Sequence, residues 1–64
     1  MTIEEASNLL DQLKNGEIEH FHISKDQFLI FQSVLVNRED FKHFRGVAQR
    51  GGAVIYYYLK EPRS

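Results

Sequence analysis

Ile3, Ala6, Leu10 and Leu13 recur at intervals of three and four, with Leu9 widening the stripe, which is the spacing of one buried helix face. Ahead of the stripe, Thr2-Ile3-Glu4-Glu5 has the form of a capping box, in which hydroxyl and carboxylate each satisfy a backbone N–H. Behind it, Asn15-Gly16 tolerates the positive φ of a helix stop. The pattern predicts a first helix over residues 3–14. The stretch from Glu17 to Ile23 is too short for another helix, and Phe21 and Ile23 alternate with His20 and His22, so a strand is expected there. Ile18 is out of phase with that alternation, so the strand either bulges or begins pairing after Glu19.

Ser24-Lys25-Asp26-Gln27 repeats the capping-box form and predicts a second helix from Lys25 to about Leu35. Phe28, Phe31 and Leu35 make one of its faces and Ile30 and Val34 an adjacent one, although the run Phe28-Leu29-Ile30-Phe31 also suits a buried strand. Asn37-Arg38-Glu39-Asp40 offers another helix start, and Phe41 and Phe44 supply a short third helix with an apolar stripe ending near Arg45, before Gly46.

The segment Val47 to Leu59 reads as a hairpin, because Gly51-Gly52 can take the positive φ angles of a two-residue type I′ turn. Under that loop Ala48 faces Ile55, Gly46 faces Tyr57 and Phe44 lies near Leu59, forming the core side. The other face then carries Arg45, Val47, Gln49, Val54, Tyr56 and Tyr58, too apolar to be simply wetted. Pro62 ends any pairing, and residues 60–64 are expected to fray. The whole is expected to be a single α+β domain over residues 1–64, in the order α-β-α-α-β-β, with helices packed on a small antiparallel sheet.

Composition narrows the chemistry. The chain has 64 residues, of which 42% are hydrophobic and 27% charged, and it contains no cysteine. Disulfides and thiolate metal sites are excluded, and stability must come from packing, within the chain or between copies. No apolar run reaches the ~18–20 residues of a membrane span, and the start of the chain lacks a basic, apolar signal, so a cytoplasmic protein without membrane association is expected. The formal charge is −1, but residues 1–32 hold six acids against two lysines, while residues 33–64 hold six basic residues against three acids. Such asymmetry marks a binding face only if the fold keeps the halves apart.

His20 and His22 share a strand face and His43 could join them, yet there is no HExxH and no cysteine pair, and a polar outer face is the preferred reading of the pair. No serine sits in a nucleophile turn, no carboxylate pair faces an apolar cleft, and the glycines lack phosphate-loop spacing. A non-enzymatic protein is expected, with no cofactor and no small-molecule substrate.

Two binding roles remain. The first is association with a protein partner, or with a second copy as a homodimer, through Arg45, Val47, Val54, Tyr56 and Tyr58. Cover of that tyrosine face by the second helix is the intramolecular alternative. The second role is nucleic-acid binding by Arg38, Lys42 and Arg45, spaced i, i+4, i+7 on the third helix, with Arg50 at the hairpin tip. That layout is one a winged helix-turn-helix would use. Glu39 and Asp40 at the start of the recognition helix and the slightly acidic net charge run against it.

Overall fold

The computed structural model describes residues 1–62. Its first helix, α1 (Ile3–Lys14), begins where the cap dictates: Glu5 N–H donates to Thr2 Oγ1 at 3.1 Å, and Thr2 N–H donates to Glu5 Oε1 at 2.9 Å. The backbone bond from Thr2 holds the Glu5 carboxyl below its usual pKa. Ala6, Leu10 and Leu13 are the buried members of the apolar stripe. The strand β1 (Phe21–Ile23) is short and starts after Glu19, which leaves Ile18 outside the ladder and packed against the edge of the core.

The second capping box does not form. Ser24 makes no side-chain cap bond, Lys25–Gln27 is a single 3-10 turn, and α2 (Phe28–Val36) begins beyond it. The helical reading of residues 28–36 holds against the strand alternative. Asn37 ends this helix instead of starting a third one, its Nδ2 donating to Ser33 C=O at 2.7 Å.

The expected third helix is reduced to one 3-10 turn, Phe41–His43. Two causes act together. Asp40 turns back to bind Arg38, closing the connection as a loop, and Phe44 and Arg45 leave for the strand β2 (Phe44–Ala48). The element order is therefore α-β-α-β-β, an α+β fold with a C-terminal hairpin formed by β2 and β3 (Val54–Tyr58). The three strands pair antiparallel in the spatial order β1-β3-β2. Residues 60–62 are exposed and outside any strand, while positions 63–64 of the expected tail lie outside the described residues.

The hairpin register differs from the two-glycine expectation by one residue. Phe44 pairs with Tyr58, Gly46 with Tyr56 and Ala48 with Val54, and Gln49 N–H donates to Ala53 C=O at 2.8 Å. The loop is thus Arg50-Gly51-Gly52, with φ of 79° at Gly51 and 86° at Gly52, a three-residue connection that still needs both glycines. A one-residue slip sends every side chain of a strand to the opposite face. Val54, Tyr56 and Tyr58 accordingly point inward, and Ile55 and Tyr57 outward.

Packing explains why this register prevails. Inward, Tyr56 meets Phe31 with ring centroids 4.7 Å apart, Phe31 stacks on Phe21 at 6.2 Å, and Tyr58 meets Phe44 edge-on at 5.1 Å. Phe31, Phe44, Leu10 and Ile23 are the largest fully buried side chains. Both helices lie on this inner face.

Truncating Phe31 removes the ring that Phe21 and Tyr56 share. Phe31→Ala is expected to cost ~3–5 kcal/mol, against a total stability of roughly 3–10 kcal/mol for a chain of this length. Urea unfolding followed by circular dichroism should show a transition moved to low denaturant or lost, and a midpoint within a few tenths molar of wild type would contradict this packing.

Candidate protein-docking cleft

The residues expected to form one docking patch are separated by the sheet. Arg45 and Val47 point outward, whereas Val54, Tyr56 and Tyr58 point inward, with Tyr56 only 4% exposed. The tyrosine face is covered by α2, as the intramolecular alternative anticipates. Burial raises the Tyr56 phenol pKa, so the hydroxyl stays protonated and donates to Gln32 Oε1 at 3.2 Å.

The basic residues are dispersed as well. Arg38 lies in the α2–β2 connection, Lys42 in the 3-10 turn, Arg45 on the outer sheet face and Arg50 in the hairpin loop. Arg38 is engaged in the fold: Nε and Nη2 donate to the two Asp40 oxygens at 2.9 and 3.2 Å, and Nη2 also reaches Asp11 at 2.9 Å. Its guanidinium lies 5.8 Å from the Phe44 ring centre, tying α1, the connection and β2 together. Hydrogen bonding to Arg38 holds the Asp40 carboxyl below its usual range, and the same pair raises Arg38. Of the histidines, His22 is on the outer face and His20 lies 5.9 Å from Tyr57, while His43 stacks on Tyr58 with Nδ1 2.8 Å from Leu59 C=O. Among the described residues no three His, Asp or Glu side chains gather where they could hold a metal ion.

An uncharged cleft runs between α2 and β2. Its floor is the inner side of β2, where Phe44 is followed by the small residues Gly46 and Ala48, and its wall is Phe28, Gln32 and Val36 of α2. The volume is about 370 Å³ and no lining residue is charged. Gly46 and Ala48 are exposed although they face the helix side, because α2 sits over β1 and β3 and stops short of β2. Gly46 also makes room for its neighbour: a Cβ there would stand 3.1 Å from both the Tyr56 ring and Val54 Cγ1.

The open edge of β2 borders this cleft. Leu59 N–H donates to His43 C=O and Gln49 N–H to Ala53 C=O, so the odd-numbered residues of this segment turn their backbone groups toward β3. The groups of Phe44, Gly46 and Ala48 then point away from the sheet. Phe44 N–H is taken by Phe41 C=O, whereas Gly46 and Ala48 offer both N–H and C=O at the edge. An edge of this kind, with no charged side chain on its inner side and no bulge, is a template for another strand. The sequence signal for it is the small pair at positions 46 and 48, spaced as strand neighbours on one face, followed by recognition that α2 lacks any charged residue.

Fold and cleft define a small two-layer α+β protein with an uncovered sheet edge at β2. Residues 3–57 match the family described as YkzS-like protein, and the chain belongs to that family. No curated protein and no solved structure matches it. Among the described residues no helix is long and apolar enough to cross a membrane.

The Arg38–Asp40 pair makes stability pH-dependent with a definite sign. A carboxyl whose folded pKa is depressed contributes stability that is present above its unfolded value, about 3.9, and is lost as pH falls through the folded value. Glu5 acts in the same direction. Urea midpoints measured from neutral pH down through about pH 3 should fall for the wild type and fall less for Asp40→Asn. Parallel curves for the two proteins would remove Asp40 from this role.

Proposed function

We propose that this chain is a non-catalytic interaction module of the cytoplasm that binds protein by accepting an extended strand along the free edge of β2. The observation that supports it is the coincidence of exposed Gly46 and Ala48 backbone groups with an uncharged cleft directly beneath them. Strand addition draws affinity from main-chain hydrogen bonds and specificity from pockets that take alternate side chains. Here the added strand would place every second side chain over the Gly46–Ala48 floor, against Phe28 and Val36. Those side chains should be aliphatic or aromatic, since no cation or anion lines the cleft to pair with a charge.

A displayed library of random dodecapeptides selected on the immobilised chain tests this. The enriched peptides should alternate apolar and polar residues, bind with little dependence on salt, and protect the Gly46 and Ala48 amides from hydrogen exchange. Ala48→Asp, which sets a charge on the floor, should weaken them by tenfold or more, roughly the cost of a poorly solvated carboxylate. Tyr57→Ala on the outer face should leave them unchanged. Peptides indifferent to Ala48→Asp, or none at all, would refute strand addition, and affinity for DNA or RNA that falls steeply with salt would support the phosphate-binding role instead.

A further inference from the structure

Beside the cleft, α2 exposes apolar surface that an added strand alone would leave wet. Leu29 is 78% exposed and Val36 51%, and they lie seven residues apart, on one stripe of the helix. Val36 also lines the cleft, so the stripe and the β2 edge form one continuous surface. No residue of α2 is charged, in a chain whose overall charged fraction is 27%. The occupant that suits this surface carries both a strand and an uncharged helix.

We infer that the occupant is a second copy of this chain, joined β2 to β2 about a two-fold axis so that two three-stranded sheets become one. This rests on the strand-accepting role proposed above and names the partner. The chain's own β2 has the required chemistry: its outward backbone groups are those of Gly46 and Ala48, and antiparallel pairing presents them to the same groups of the other copy. A two-fold centred at Gly46 sets Arg45 beside Val47 of the second copy, and one centred at Val47 sets it beside Gln49. Either keeps the arginines apart, whereas a centre at Arg45 opposes like charges. The small Gly46 and Ala48 side chains from both copies leave the seam low, so the two α2 helices can approach over it and cover Leu29 and Val36. The pairing also enlarges the core of a chain that has no disulfide and a length at which burial is marginal.

Sedimentation equilibrium of the full chain, from low micromolar to near-millimolar and at low and high salt, reads the outcome directly. The mass should rise from one copy to two with concentration and change little with salt, and the Gly46 and Ala48 amides should become protected in step. Leu29→Glu, at a position exposed enough to leave the fold intact, should weaken association by about tenfold or more, and Ala48→Asp by about a hundredfold. Tyr57→Ala, on the outer face of the central strand and away from the β2 seam, separates edge pairing from face-to-face stacking. Tyr57→Ala should leave the dimer unchanged. A chain that stays monomeric at the highest concentration, or a dimer that survives Leu29→Glu and Ala48→Asp but is lost with Tyr57→Ala, overturns the inference. If the chain is monomeric and selected peptides still protect the Gly46 and Ala48 amides, strand addition stands with a different partner; if neither occurs, both fail.

Discussion

Tyr56 sits beneath Phe31, and most of the molecule follows from that contact. The ring is held from above by α2 and its hydroxyl by Gln32, and it fits against β2 because Gly46 has no Cβ to crowd it. Because β3 is the central strand, placing Tyr56 inward sets the facing of all three strands at once: Phe21 and Ile23 of β1 and Phe44, Gly46 and Ala48 of β2 come to the same side. The alternative register would bury Ile55 and Tyr57 and turn Tyr56 into water. It would forfeit an aromatic cluster whose members each bury on the order of 150–250 Å².

The cleft is a consequence of the same placement. With α2 centred over Phe21 and Tyr56, the helix leaves the Gly46–Ala48 end of the inner side of β2 open, and the chain meets that gap with glycine and alanine where a covered strand would carry larger side chains. The two sheet edges are treated differently. β1 is limited to three residues, which leaves His22 alone to present backbone outward. β2 is five residues long, with no proline and no bulge, and its one charge, Arg45, lies on the outer face, so the inner side of this edge is not blunted. An edge so exposed beside an uncharged helix is a hazard in a monomer and an asset in a module that pairs.

Arg38 shows how a residue suited to one role is recruited to another. Its spacing with Lys42 and Arg45 makes a basic stripe only if residues 38–45 are helical, and the bidentate bond to Asp40 is part of what prevents that. In the folded chain its charge is matched by Asp40 and Asp11, and its guanidinium covers the Phe44 ring. At this point the two halves of the chain also meet, Arg38 from one pairing with Asp11 from the other.

What local pattern determines was readable from the chain: the Thr2–Glu5 cap, the stripe of α1, the apolar body of α2, the strand at Phe21–Ile23 and a glycine-centred hairpin all depend on residues within a few positions of one another. Ser24 and Asn37 were misleading because side chains able to cap a helix need not do so: Ser24 makes no cap bond ahead of a single 3-10 turn, and the Asn37 amide is taken by the end of α2. The hairpin register was decided elsewhere. Gly51 and Gly52 permit a loop of two residues or of three, and the choice between them was made by Phe31, some twenty residues away, which rewards burial of Tyr56 over Tyr57. Both faces of β3 are apolar, so alternation along that strand carries no preference for which side is inward. Only the position of α2 over the sheet supplies one, and with it the open edge of β2.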